Sequence, residues 1–140
     1  MQDLTSLLYI STATTKHSEE ELLKILEVSR SNNLKAGITG VLCSGGGHFI
    51  QVIEGPQKAV LESYLSILDD TRHKDCLLIG MAPLKERNFE KWSMGYIQAS
   101  EDKVLERKKL LMDYWQSQVK ETELLSLMRK FVKLLRDQAQ

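Results

Sequence analysis

The sequence predicts an α+β domain, a ferredoxin-like split β-α-β-β-α-β sheet with an added fifth strand and C-terminal amphipathic helices. Three observations carry that expectation. Short apolar runs of strand length recur at 4–12, 38–44, 48–54 and 76–83. Helical stripes fall between the first and second runs and between the third and fourth. The second and third runs are separated only by Gly45, Gly46 and Gly47, which makes them a hairpin. That order is the split βαβ arrangement, with both helices on one sheet face. A chain of 140 residues, 42% hydrophobic and 27% charged, is long enough to bury one proper core.

The first strand is LTSLLYIST (4–12), which puts Tyr9 between Leu8 and Ile10. Ser18 and Glu21 make a capping box, so a helix is expected from about residue 19. Its stripe reads Leu22, Ile25, Leu26, Ser29 and Asn33, which aims a primary amide at the core. Asn32 lies nearer the flank. The plainer alternative is that the two asparagines end the helix, since asparagine tolerates the left-handed conformation.

The hairpin strands are ITGVLCS (38–44) and HFIQVIE (48–54), and the glycines between them lack the following helix and lysine of a phosphate-cradling loop. In the second strand Phe49, Gln51 and Ile53 share a side, so another amide stands between two hydrophobes. Gly55 and Pro56 open a second helix with the stripe Val60, Leu61, Tyr64, Ile67 and Leu68. TRHKD reads as a polar loop, CLLIGMAP (76–83) as a strand closed by Pro83, and KERNFEK as a connector. WSMGYIQ (92–98) is the added strand, with Trp92, Met94 and Tyr96 on one face.

Beyond residue 100 the stripes Val104, Lys108, Leu111, Trp115, Val119 and Leu124, Met128, Phe131, Leu135 predict amphipathic helices with a break near 117–122. We therefore expect a domain over 1–100 and a helical extension over 101–140. The apolar faces of the extension call for the opposite sheet face or a second subunit as cover, and a homo-oligomer is expected.

Nineteen basic residues balance nineteen acidic ones, which argues against nucleic acid or an anionic membrane as a direct electrostatic partner. No signal core or spanning run is present, so a cytoplasmic location is expected. Cys43 and Cys76 lack the spacing of a metal site and read as small buried hydrophobes. A hydrolase has little support. His17, His48 and His73 read as loop or strand-end residues, Cys43 has no base beside it, and Glu54 has no second carboxylate.

Tyr9, Gln51 and Asn33 remain. In a split βαβ sheet the strands carrying Tyr9 and Gln51 are neighbours, and the first helix lies above them. A buried polar group left unsatisfied costs roughly 1–3 kcal/mol, so these groups are paired with one another, with backbone, or with a ligand that offers donors and acceptors along one edge.

At these residues the sequence resembles the BLUF family, the sensors of blue light using flavin. The motifs are LLYIS, SNNLKAGITGVLC, HFIQVIEG, DDTRH and WSMGY, in that order across residues 4 to about 98. The resemblance implies a non-enzymatic photoreceptor with a noncovalent flavin, FAD in most members, between the two helices. It implies that Tyr9 is the light-driven electron and proton donor and that Gln51 links it to the flavin. It places Asn33, with Asn32 beside it, at the flavin edge, Ile25 on the ring, and Asp70, Arg72 and His73 toward the ribityl phosphate end. Ser66 stands where some members are expected to carry arginine, so FMN stays open beside FAD. Trp92 and Met94 become the relay to the C-terminal helices and a downstream signalling protein. Set against this are a metabolite-binding regulatory domain on the same fold and an interaction module whose amides satisfy each other.

Overall fold

The computed structural model describes residues 3–116, 130 and 132–137. In chain order it contains β1 (Leu4–Ala13), α1 (Glu19–Ala36), β2 (Thr39–Gly45), β3 (His48–Pro56), α2 (Gln57–Asp69), β4 (His73–Leu84), β5 (Gly95–Gln98) and α3 (Glu101–Gln116). Residues 132–137 are again helical. The strands form one sheet in the order β4-β1-β3-β2-β5. Its first four strands pair antiparallel, and β5 runs parallel to β2. The expected fold class is the observed one.

Local chemistry sets the boundaries. Ser18 Oγ accepts from the Glu21 backbone N–H at 3.1 Å, and Glu19, Glu20 and Glu21 complement the positive end of α1. The helix does not end at the asparagines. It runs on to Ala36, Gly37 takes the left-handed cap at φ +73°, and the Ile38 N–H returns to the Asn33 carbonyl at 2.8 Å. The better terminator further along overrules Asn33 and leaves both asparagine side chains available to act. Gly46 and Gly47, at φ +59° and +82°, make the tight β2–β3 turn, where the paired strands need positive φ at both positions.

Three expectations about strands need correction. β4 starts at His73, which pairs with Ala13, so the polar loop is shorter than the composition suggests. Pro83 lies inside β4 opposite Thr5, where an edge strand tolerates the missing N–H. β5 starts at Gly95, because residues 92–94 are held by side chains and by a single β2 bond, Gly40 N–H to the Trp92 carbonyl at 3.0 Å.

The sheet is covered on both faces. On one, α1 and α2 bury Leu7, Tyr9, Leu26, Ile38, Ile53, Val60, Tyr64 and Met94 together. Leu61 and Leu68 of α2 point outward instead, at 39% and 45% exposure, and the buried positions of that helix are Val60 and Tyr64. On the other face Val104 and Leu111 of α3, with Val132 and Leu135, close over Leu8, Ile10, Val41, Cys43, Ile50 and Val52. The expected stripe positions Val119, Leu124, Met128 and Phe131, the break at 117–122 and the Trp115 side chain lie outside the described residues. Among the described residues no helix is long and apolar enough to cross a membrane.

Candidate functional site

Tyr9 and Gln51 are direct cross-strand partners in the β1–β3 register, at the middle of the sheet. The Tyr9 hydroxyl donates to Gln51 Oε1, and Gln51 Nε2 lies 3.3 Å from Met94 Sδ. Chemistry fixes this orientation of the amide. A thioether can only accept, so the NH2 end belongs at Met94, and the carbonyl end is left to accept from the Tyr9 hydroxyl. Tyr9 is 4% exposed, and burial, helped by Cys76, Tyr64 and Asp70, drives its pKa far above that of a free phenol. It therefore stays protonated. The Tyr64 ring lies 5.5 Å from it at 52°, a second tyrosine that the α2 stripe contained without marking as special.

Above this pair, between α1 and α2, is a cleft of about 360 Å³. Tyr9, Ile25, Asn32, Asn33, Gln51, Asp70, Arg72 and His73 all line it, as does Met94. Leu22, Leu26, Leu42, Phe49, Ile53 and Ile67 supply its apolar walls. Apolar walls interrupted by a few polar groups suit a flat heterocycle whose faces are apolar and whose edge carries donors and acceptors. A larger hollow of about 580 Å³ lies on the other sheet face, among Ser6, Lys85, Glu86, Lys133 and Arg136, and contains none of the predicted residues.

Asn33 serves two neighbours. It lines the cleft, and its Nδ2 donates to the Ser93 carbonyl at 2.8 Å. Arg30, nearly one helical turn before Asn33 on α1, donates from Nε to the Met94 carbonyl at 2.9 Å. Asn32 is exposed at the rim.

At the loop end of the cleft Asp70 and Arg72 grip each other. Arg72 donates from its backbone N–H and its Nε to Asp70 Oδ1, both at 2.9 Å, and this holds the carboxyl at about 2. His73 is not a solvated loop residue. Its Nδ1 is 2.9 Å from Ser11 Oγ and its Nε2 is 2.6 Å from the Ile67 carbonyl. His17 also lines the cleft, with Nδ1 3.4 Å from Glu21 Oε2. Cys43 is fully buried, whereas Cys76 is half-buried at 3.5 Å from His73 Nδ1.

Trp92 and Met94 do not share a face, contrary to the alternation expected for a strand. Because residues 92–94 precede β5, Met94 and Tyr96 turn toward the cleft side while Trp92 packs on the opposite cluster, stacked on Phe89 at 5.8 Å. Gly95 permits that turn, since a Cβ there would sit 2.9 Å from the Trp92 ring. Sequence reasoning also missed the anchor of the connector. Glu54 is fully buried and accepts from the backbone N–H groups of Asn88 and Phe89 and from Thr39 Oγ1, while Arg87 Nη2 donates to the Gly37 carbonyl at 2.8 Å. It is a clamp, not an acid or base.

Fold and cleft together define a class, an α+β domain with an apolar-walled cleft between two helices on one sheet face and further helices packed on the other. Residues 4–95 match the profile of the sensors of blue-light using FAD, and the chain belongs to this BLUF family. The photoactivated adenylate cyclase subunit beta of Euglena gracilis is 41% identical over 92 residues, 65% of this chain and 11% of that protein. The blue light- and temperature-regulated antirepressor BluF of Escherichia coli (strain K12) is 32% identical over 93 residues, 65% of this chain and 23% of that protein. The chain thus spans a small fraction of these relatives. Among solved structures, the dark state of BlrB, a BLUF protein, superposes with a TM-score of 0.70 at 30% identity, covering 96% of this chain and 98% of BlrB. The photo-activated state of BlsA gives 0.72 at 25% identity, with 95% and 94% covered.

Proposed function

We propose that this protein is a blue-light photoreceptor that converts absorption by a flavin, FAD or alternatively FMN, into a rearrangement of hydrogen bonds around Gln51. The observation that carries this reading is the line from Tyr9 through the Gln51 amide to Met94, running along the floor of a cleft of the right chemistry. Ile25 and the apolar walls would hold the flavin ring, Asn32 and Asn33 its edge, and Asp70, Arg72 and His73 the ribityl phosphate end. When bound, the flavin supplies the absorption of blue light and, once excited, the oxidising power that draws on Tyr9.

The residues then act in sequence. Tyr9, held neutral by burial, gives up and takes back an electron and a proton, with the proton leaving along its bond to Gln51 Oε1. That excursion lets the Gln51 amide settle with its ends exchanged or its tautomer changed. If the ends exchange, a carbonyl oxygen faces the Met94 sulfur where an NH2 stood before. Two acceptors in contact repel, so Met94 shifts, and with it the segment that leads into β5. Trp92, on the far side of the same segment, passes the shift toward α3.

In this reading residues 1–100 are the sensor and 101–140 the extension through which a downstream protein is contacted. The protein works in the cytoplasm, as a homo-oligomer, without touching nucleic acid or membrane and without catalysing a reaction. The relatives named for cyclase and antirepressor activity show the kinds of output that such a module accompanies. The test is an absorption spectrum in the dark and after blue light. A flavin spectrum that shifts reversibly to the red is expected; a protein that stays colourless when supplied with flavin overturns the reading.

A further inference from the structure

Among the described residues, two buried side-chain polar atoms have no hydrogen-bond partner: Ser6 Oγ and His17 Nε2. Ser6 belongs to the opposite sheet face, beside Val132. His17 lines the cleft between α1 and α2. Its side chain is 12% exposed, and its other nitrogen is already occupied by Glu21 Oε2 at 3.4 Å.

His17 lines the same cleft as the loop residues Asp70, Arg72 and His73. Thr14, three residues before His17 in the chain, donates from its backbone N–H to the Arg72 carbonyl and from Oγ1 to the Thr71 carbonyl, both at 3.0 Å. Thr14 therefore meets the turn at residues 71 and 72. At that end the other candidates are wholly or partly engaged, Arg72 keeping Nη1. Arg72 Nε and Nη2 hold Asp70, and both His73 nitrogens have partners in Ser11 and Ile67. Among the described residues, His17 Nε2 is the buried group there that still lacks one.

We propose that His17 is a cofactor-binding residue whose Nε2 donates to a phosphate oxygen of a phosphorylated flavin. The inference rests on the flavin reading above. The Glu21 carboxylate holds the ring at Nδ1 and leaves Nε2 to meet a phosphate oxygen. Asp70, Arg72 and His73 hold that end of the cofactor, and His17 adds a contact that FMN and FAD make and riboflavin does not.

The test measures binding of riboflavin, FMN and FAD to the cofactor-free full chain by quenching of flavin fluorescence. The native protein should prefer FMN and FAD over riboflavin by at least about tenfold, the effect of one hydrogen bond to a charged group. His17→Phe should cut that preference, read as the ratio of FMN to riboflavin affinity, and His17→Gln, which restores an N–H, should recover part of it. The inference fails if His17→Phe keeps the full preference or weakens riboflavin as much as FMN. It also fails if the native protein binds all three equally, an outcome under which the flavin reading stands. If none of the three binds, the flavin reading falls and takes the inference with it.

Discussion

At the scale of the residue, the two ends of the Gln51 amide are chemically different, and that difference gives the cleft a direction. Tyr9→Phe removes the donor at Gln51 Oε1 and leaves a carbonyl buried without its partner, which costs ~1–3 kcal/mol. The variant should still take up flavin but show no red-shifted state, as read by difference spectroscopy. A normal red shift in Tyr9→Phe would sink the proposed mechanism. Gln51→Leu keeps the volume and removes the amide, so it should be equally blind to light while the bound flavin still absorbs.

At the scale of the element, charged groups sit where elements meet. Lys108 of α3 is 8% exposed and donates to the Ser11 carbonyl and to Thr12 Oγ1, with His48 Nδ1 at 3.2 Å. Burial pulls its pKa from the ordinary 10.5 down to about 8. A lowered folded-state value means that the unfolded chain holds more protons between those limits. Stability from this group therefore rises as pH increases from about 8 to 10.5, instead of falling as it would for a lysine in an ion pair. Melting curves should show the native protein gaining on Lys108→Met across that range; a constant difference throughout would rule the effect out.

Glu54 is the corresponding point on β3. Glu54→Leu strips the acceptors from the Asn88 and Phe89 amides, so it should destabilise the chain by ~3 kcal/mol or more, whereas Glu54→Gln keeps one acceptor and should cost less. Equal denaturant midpoints for the two variants would show that packing, not the carboxylate, secures the connector.

At the scale of the whole molecule, α3 is seated on the sheet through Val104 and Leu111, both fully buried. Leu111→Ala should cost about 2–5 kcal/mol in urea unfolding, and a value under about 1 kcal/mol would mean that α3 contributes little to the fold and is free to leave the sheet. Much of this architecture is legible in the sequence, because strands and helices announce themselves through period and cap. Tyr9, Gln51 and Asn33 stand out as polar groups in apolar stripes, and the register that joins Tyr9 to Gln51 sits on the two strands that the split βαβ order makes neighbours. The errors arise where long-range partners outweigh local pattern. Asn33 resembles a helix end, but Gly37 supplies a better one, and Trp92 loses the alternation of a strand because Asn33 and Arg30 hold its neighbours. His17 carries no signal at all, since nothing local shows that a loop histidine closes a cleft made by distant segments.

The sheet has a twelve-residue edge strand at one side and a four-residue one at the other. Backbone amides of β5 therefore lie behind the fewest cooperative bonds and should exchange with deuterated solvent well before those of β1 or β3. Local opening is cheapest at the strand that follows Met94, so a side-chain change worth only a few hydrogen bonds can alter exchange there while the middle of the sheet stays closed.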